Sequence, residues 1–335
     1  MKINIGKRRV GDGEPVFIIA EVGSNHDGKL EQAKQLIAAA KQCGADAVKF
    51  QSFTAAQLVS PGYETLYQAF RKVEMPGAWH RELVEFAASQ DIIFMSTPFD
   101  EGVASLLDQL GVAAFKIASG DMTDHPLLRH VAGFHKAVIL STGMAELSEV
   151  EEAVEVIRQA GNNDIILLHC VSNYPPLAED INLRAMVTMH EALGLPVGFS
   201  DHSPGITADI GAVALGACVI EKHVTIDKTL PGPDHPYALE VDEFADMVRQ
   251  LRFLEAALGN GVKAPVPGEV PERRLARRGV YAATAIPKGT VIEKRMLKIV
   301  RPRMDALEPG KIETVLGRKA KKDIAAEEPI RGDEV

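Results

Sequence analysis

Cysteine is scarce in this 335-residue chain. Cys43, Cys170 and Cys218 are an odd number at scattered spacings, which argues against a disulfide framework and against a cysteine-built metal site. No apolar run reaches the roughly 20 residues that a membrane span requires. The opening residues, MKINIGKRRVGDGEPV, carry basic side chains with no apolar stretch behind them, so no secretory signal is expected there. No G-x-G-x-x-G follows any strand-like run, which removes the main signature of a doubly wound dinucleotide-binding sheet. Positive charge is also short over most of the chain. Residues 270–335 hold 16 Lys/Arg against 10 Asp/Glu, whereas the rest holds 21 against 36, for a net charge of −9 overall. So acidic a main body is a poor nucleic-acid partner, and any anionic ligand must be gripped there by a few local cations. The expectation is a soluble protein of a reducing, cytoplasmic compartment, with neither nucleic acid nor membrane as partner.

Apolar residues make up 46% of the chain and charged residues 25%, ordinary values for a globular protein. Short, nearly continuous apolar runs recur at Val16–Val22, Asp46–Gln51, Ile92–Pro98, Ala114–Ser119, Ala137–Thr142, Ile165–Cys170, Val197–His202 and Cys218–Thr225. That texture predicts parallel strands buried on both faces. Helical patterns follow each of them: Leu30–Cys43, Ala78–Gln90, Glu101–Leu110, Pro126–Ala132, Ala145–Gln159, Leu183–Leu193, Ile206–Leu215 and Asp242–Leu258. Eight strands alternating with eight helices over about 250 residues predict an α/β fold of the (β/α)8 TIM-barrel type, with Lys2–Val10 as a hairpin over the barrel's bottom. The barrel is predicted over residues 1–258. Residues 259–276 begin with a Gly- and Pro-rich stretch and read as a linker, and residues 277–335 as a small β-rich module, marginal in size for standing alone.

Barrel enzymes place their chemistry at the C-terminal ends of the strands, and those ends are polar here. Lys49 and Lys116 end the second and fourth strands amid apolar sequence, where lysine is rare unless it is paired or binds an anion. With hydroxyls from Thr97, Ser119 and Ser200 they would form a phosphate or carboxylate pocket; the alternative is that each pairs with a nearby Asp or Glu. Four histidines, His26, His169, His202 and His223, also fall at strand ends. His202 and His223 close adjacent strands and suit a divalent cation with open positions, Mn²⁺, Mg²⁺, Zn²⁺ or Fe²⁺; the alternative is two satisfied core histidines. His169 and Cys170 are neighbours on one strand, so they face opposite ways and cannot form a nucleophile pair.

The segments FIIAEVGSNHDG, ADAVKFQSF, FKIASGD, LLHCVSNYP, GFSDH, EKHVTIDKTLPGPDH and the late RRGVYAATAIPKGT and VRP resemble the sialic acid synthase family. That family includes the legionaminic and pseudaminic acid synthases and the spore-coat polysaccharide proteins. The resemblance covers nearly the whole chain, and the late module resembles the family's antifreeze-like (SAF) domain.

The resemblance implies condensation of phosphoenolpyruvate with an N-acyl hexosamine such as N-acetylmannosamine, giving a nine-carbon 2-keto acid and phosphate. It also implies a divalent metal, Mn²⁺ foremost, on His202 and His223. By the same resemblance Lys49, Gln51, Thr97, Lys116, Ser119 and Ser200 hold phosphoenolpyruvate, while Glu21 and Asp121 manage protons. Tyr174 and Asp234 contact the sugar, and so does Ser172, where the sialic acid branch often has Asn. Arg301 is implied to reach a neighbouring subunit's site in a homodimer that exchanges its SAF modules. Two other readings are a deoxy-sugar-acid phosphate synthase acting on a phosphorylated aldose and a catalytically inactive carbohydrate-binding protein. Against the first, the strand ends show no spare Arg or Lys for a second phosphate. Against the second stand Glu21, Lys49, Lys116, His202 and His223. The sequence leaves the identity of the sugar open.

Overall fold

In the computed structural model, which describes residues 1–335, the chain opens with an antiparallel hairpin, β1 (Lys2–Ile5) and β2 (Arg8–Gly11). Eight strands follow: β3 (Phe17–Gly23), β4 (Ala47–Ser52), β5 (Ile93–Pro98), β6 (Ala114–Ile117), β7 (Ala137–Ser141), β8 (Ile165–Cys170), β9 (Val197–Asp201) and β10 (Val219–Thr225). Every ladder among them is parallel, in the order β5-β4-β3-β10-β9-β8-β7-β6. The two end strands of that order, β5 and β6, run beside one another, so the sheet is a nearly closed barrel.

Each strand is followed by a helix that returns the chain to the barrel's bottom. These are α1 (Leu30–Cys43), then the short α2 (Ala55–Leu58) and α3 (Glu64–Arg71) before α4 (Trp79–Ser89), α5 (Glu101–Gln109), α6 (His125–Ala132), α7 (Leu147–Gln159), α8 (Arg184–Leu193), α9 (Thr207–Ala214) and α10 (Val241–Leu258). Several helix starts are written locally. Asp100 and Asp124 accept backbone N–H bonds as N-caps of α5 and α6, and Glu146/Glu149 and Glu240/Glu243 form reciprocal capping boxes on α7 and α10, which satisfy donors the helix itself leaves free. No helix is long and apolar enough to cross a membrane.

The eight predicted strands and eight predicted helices all form, with ends displaced by no more than two residues. Two segments differ from expectation. The stretch between β4 and α4, for which no element is predicted, carries α2 and α3; both are short, and α3 buries none of its residues although Leu66, Tyr67 and Phe70 recur at helical spacing. Part of the predicted linker is helical: α11 spans Glu269–Ala276. Pro271 reads as a breaker in sequence but stands in the first turn of α11, where the missing N–H would be unpaired anyway.

The chain divides into two compact units, Met1–Gly259 and Asn260–Val335. In the second, β12 (Gly279–Ala282) and β13 (Leu297–Val300) pair antiparallel around a small core of Val280, Ile286, Ile292, Val315, Ile324 and Ile330. The earlier two-residue β11 (Leu239–Glu240) extends the barrel sheet by pairing with β10.

Strand alternation divides the barrel into two shells. Outward-facing Ile18, Val48, Phe94, Phe115, Leu140, Leu167, Phe199 and Ile220 pack on the helices. Inward-facing Phe17, Ile19, Ala47, Met95, Ile139, Leu168 and Val219 fill the lower half of the barrel, and Ile3, Ile5 and Val10 of the opening hairpin join the same cluster. The bottom is therefore an apolar plug, and the next inward positions up each strand are free to be polar. Because Ile5 is fully buried in that plug, Ile5→Ala is expected to lower the unfolding free energy by about 2–5 kcal/mol in chemical denaturation. A loss well below about 1 kcal/mol would show that the hairpin does not seal the barrel.

Candidate active site

The inward polar positions converge on one cavity of about 550 Å³ at the C-terminal mouth of the barrel. Register explains the convergence. Glu21 pairs in line with both Lys49 and His223 on its two neighbouring strands, Gln51 with Thr97, and Ser200 with Glu221 and Cys170.

The floor is ionic. Lys49 Nζ lies 2.7 Å from Glu21 and 3.6 Å from Glu221, and Lys116 Nζ lies 3.4 Å from Glu221. All four residues are at most 4% exposed, so each charge is stranded without the others. The Lys49 ammonium and the Ser200 hydroxyl donate to Thr97 Oγ1 (3.3 Å) and Glu221 Oε1 (2.9 Å), and the Gln51 amide donates to Glu21 Oε1 (2.9 Å). Burial alone would raise Glu221, but Lys116, Lys49 and the Ser200 hydroxyl outweigh it and hold the carboxyl at about 2. Burial raises Glu21 despite Lys49, and the neighbouring Glu221 pushes the same way. Burial lowers Lys116 despite Glu221, whereas for Lys49 the two carboxylates outweigh burial and raise it.

The rim carries different chemistry. His202 and His223 stand with ring centroids 5.6 Å apart, and Tyr174 packs on His202 at 4.3 Å. Burial, reinforced by the proximity of His223, lowers His202 to about 4; burial likewise lowers His223. Both rings are thus neutral near pH 7. His202 Nδ1 bonds the Val171 carbonyl at 2.9 Å, which can only accept, so the proton is on Nδ1 and the Nε2 lone pair is free. His223 Nδ1 is buried with no hydrogen-bond partner. Two neutral imidazoles with uncommitted nitrogens fit a divalent cation. No group of three or more His, Cys, Asp or Glu side chains stands close enough to hold one alone, so such a site is open rather than a closed structural cage.

Beside the histidines, Asp234 accepts from the Ser24 N–H (2.9 Å), the Ser24 hydroxyl (2.8 Å) and the Tyr237 hydroxyl (2.7 Å). Burial would raise it, but His223, Ser24 and Tyr237 outweigh that and hold its carboxyl below the usual range. Gly23 permits this approach: its φ is +52°, and a Cβ there would lie 2.6 Å from Asp234 Oδ2.

Of the residues singled out from sequence, Glu21, Lys49, Gln51, Thr97, Lys116, Ser119, Ser172, Tyr174, Ser200, His202, His223 and Asp234 line this cavity. Two do not. Asp121 follows β6 in a 3₁₀ turn just outside the lining, with Oδ2 buried and unpaired. Burial and the nearby Asp124 carboxylate, opposed by Lys116, push it up to about 6. Arg301 belongs to the other unit, exposed just past β13. Of the sequence alternative for the lysines, the pairing with carboxylates is present, and both lysines also face a cavity lined with hydroxyls. His26 is a core residue, packed edge-on against Trp79 at 5.7 Å. His169 and Cys170 do diverge, to the Ile181 carbonyl and the Ser119 hydroxyl. Sequence reasoning passed over Glu221, the centre of the floor, and Tyr237. The signal for Glu221 was present: it is two residues from His223 on one strand, so it shares that residue's inward face.

An eight-stranded parallel barrel with a polar mouth, followed by a small separate β module, defines a two-part α/β protein built around one cavity. Residues 36–263 match the NeuB family and residues 277–335 the SAF domain. The chain is 45% identical to an uncharacterized protein of Methanocaldococcus jannaschii, over 100% of this chain and 98% of that one. It is 42% identical to N,N'-diacetyllegionaminic acid synthase of Legionella pneumophila, over 97% and 96%. The crystal structure of a sialic acid synthetase from Leptospira borgpetersenii superposes with a TM-score of 0.77 at 38% identity, over 81% of this chain and 95% of that one. The chain belongs to the NeuB family, and is thus a synthase of the phosphoenolpyruvate-condensing, transferase type.

The raised Asp121 has a measurable consequence. Between its ordinary value near 3.8 and about 6, the folded protein holds a proton that the unfolded chain has lost, so ionisation opposes folding as pH rises through that window. Asp121→Asn is expected to be more stable than the parent protein at pH 7 by on the order of 3 kcal/mol, with the difference vanishing below about pH 4. Denaturant titrations of both proteins at the two pH values decide it. An equal or lower stability of the variant at pH 7 would mean that Asp121 titrates normally.

Proposed function

We propose that this chain condenses phosphoenolpyruvate with the open-chain aldehyde of an N-acyl hexosamine, N-acetylmannosamine or a related amino sugar. Water is consumed, and a nine-carbon 2-keto sugar acid and phosphate are released. One observation carries the reading: two buried lysines from different strands, Lys49 and Lys116, share a cavity with a neutral histidine pair and a carboxylate, Asp234, at its rim. The floor suits a small, highly charged anion, and the rim suits a polyhydroxylated, carbonyl-bearing partner. The family membership and the sugar-acid names of the relatives support the same class of product.

Lys49 and Lys116 supply charge-assisted contacts to the phosphate and carboxylate of phosphoenolpyruvate, with Gln51, Thr97, Ser119 and Ser200 completing the grip. Tyr174, Ser172 and Asp234 hold the acceptor's hydroxyl and acyl groups. His202 and His223 would hold a divalent cation, Mn²⁺ or Mg²⁺, which when bound would supply Lewis-acid polarisation of the acceptor carbonyl. The C3 carbon of phosphoenolpyruvate forms the new bond to the aldehyde carbon, whose oxygen takes up a proton. Water adds at C2, loses a proton, and phosphate departs by C–O cleavage to leave the 2-keto group. Glu21 and Asp121, both raised by burial, exchange the protons of ring opening, water addition and breakdown. A phosphorylated acceptor fits less well, because Lys49 and Lys116 are the only lysine or arginine side chains lining the cavity. The reaction draws on phosphoenolpyruvate, which assigns the enzyme to the cytoplasm.

Incubation with phosphoenolpyruvate, Mn²⁺ and a panel of hexosamines is expected to release phosphate with at least one N-acyl sugar. Label placed as ¹⁸O in the bridging oxygen should leave in phosphate. Chelator-stripped protein, His202→Ala and His223→Ala should each be inactive. Label retained in the sugar acid, or full turnover without metal, overturns the corresponding step.

The second unit is assigned to a neighbouring barrel. It is basic where the rest of the chain is acidic, which favours docking between the two. In a homodimer that exchanges these modules, Arg301 serves the partner's acceptor site. Arg301→Ala and Lys49→Ala proteins, each poorly active alone, should regain activity when mixed under conditions of subunit exchange. With exchange verified, unchanged activity would mean that each module serves its own barrel.

A further inference from the structure

Outside the cavity, behind Asp234, lies a second buried polar chain that the reaction does not use. His235 is fully buried. Its Nδ1 meets the Thr225 hydroxyl at 2.6 Å and its Nε2 meets Asp27 Oδ1 at 3.0 Å. Asp27 also accepts from Gln32 of α1 at 2.7 Å, and Gln32 donates in addition to the Asn25 carbonyl at 2.7 Å. Burial would raise Asp27, but its bonds from His235 and Gln32 outweigh that and lower it, so it is an ionised acceptor. His235 Nε2 therefore donates to Asp27, and Nδ1 is paired with the Thr225 hydroxyl oxygen, which also takes the Asp227 N–H at 3.1 Å. The chain of bonds crosses between two loops far apart in sequence. One follows β3 and contains Ser24 and Asp27; the other follows β10 and contains Asp234, His235 and Tyr237.

The same two loops also meet where Ser24 donates to Asp234. The Asp234 carboxylate is held from one side by Ser24 and from the other by Tyr237, and its backbone is set by the residue that follows it, His235. Packing leaves the imidazole no slack. A Cβ on Gly232 would lie 2.7 and 2.9 Å from the His235 ring and 3.2 Å from Asp27 Oδ1. We infer that Asp27 and His235 are positioning residues that clamp the loop after β10 onto the loop after β3 and thereby aim Asp234 at the acceptor. They touch neither substrate and act through Asp234. Paired polar groups built on a fully buried imidazole specify one arrangement, because any other leaves a donor or acceptor unsatisfied. The inference rests on the proposed acceptor role of Asp234 for its kinetic consequence, but not for its structural one.

The test uses paired substitutions. His235→Asn keeps a group at the Nδ1 position and loses the reach to Asp27; His235→Gln keeps a donor at the Nε2 position. Asp27→Ala removes the acceptor, and Gly232→Ala crowds the clamp without deleting any hydrogen-bonding group. His235→Asn, Asp27→Ala and Gly232→Ala are expected to raise the acceptor KM by about ten-fold or more while the phosphoenolpyruvate KM stays within about two-fold; His235→Gln should stay close to the parent protein. In a double-mutant cycle, Asp27→Ala should add nothing to Asp234→Ala. Equal changes in both KM values, or an additive cycle, would overturn the clamp. A crystal structure of the Asp27→Ala protein is the readout that does not depend on the reaction. Asp234 displaced from Ser24 or Tyr237 supports the inference; both contacts kept at their present lengths overturns it, whatever the enzyme's substrate. Failure of the parent protein to release phosphate with any hexosamine would overturn the functional reading alone.

Discussion

The arrangement of Glu21, Lys49, Glu221 and Lys116 is the constraint on which the upper half of the barrel depends. Four charges from three strands beside one another, β4, β3 and β10, and from the more distant β6 are buried in contact. None of them could be dehydrated alone. Their mutual neutralisation lets a barrel interior carry ammonium groups at all. Glu221, shared between both lysines and held at about 2, stays charged throughout the physiological range. Glu21, raised by the same burial, is the member that can take a proton and leave the floor with a net positive charge when an anion arrives.

The rim follows a different principle. Where the floor balances full charges, burial keeps the rim's imidazoles neutral, reinforced at His202 by His223 beside it. That is the state in which histidine is a ligand rather than a cation. Asp234 is kept ionised beside them by three hydrogen bonds. A cavity only a few side chains wide therefore presents cationic donors at its base, and uncommitted nitrogen and a carboxylate at its mouth. This division matches a reaction between a small anion and a neutral polyhydroxylated carbonyl compound. The apolar plug below, closed by Ile3, Ile5 and Val10, gives both layers a rigid support.

A similar logic operates on the outer face of β10. Lys222 points away from the cavity between its two inward neighbours, Glu221 and His223. It is fully buried against Asp201 and Asp209, and it also donates to the Ser203 carbonyl. Asp201 in turn accepts from the Ser203 N–H. The turn that carries His202 is thus tied from behind to the strand that carries His223, which keeps the two imidazoles in register.

Much of this was legible in one dimension. The eight apolar runs, the helices between them, and the lysines and histidines at strand ends follow from local rules: period-two alternation, capping residues, and the rarity of charge in apolar sequence. Those rules operate over a few residues, so composition and spacing suffice to express them. They also predict which end of each strand is functional. What they cannot express is which residues from distant segments meet. Glu221 became the centre of the floor only because β10 lies next to β3 and the barrel brings β6 across from it. Asp27 and His235, 208 residues apart in the chain, meet only because the fold brings the loops after β3 and β10 together. α11, which buries none of its residues, left little apolar pattern to read, and α3, although Leu66 and Phe70 recur at helical spacing, is only eight residues long and equally unburied. Local chemistry selected the elements, and barrel closure chose the partners, because burying a charge or a buried hydrogen bond is decided by what lies across space rather than along the chain.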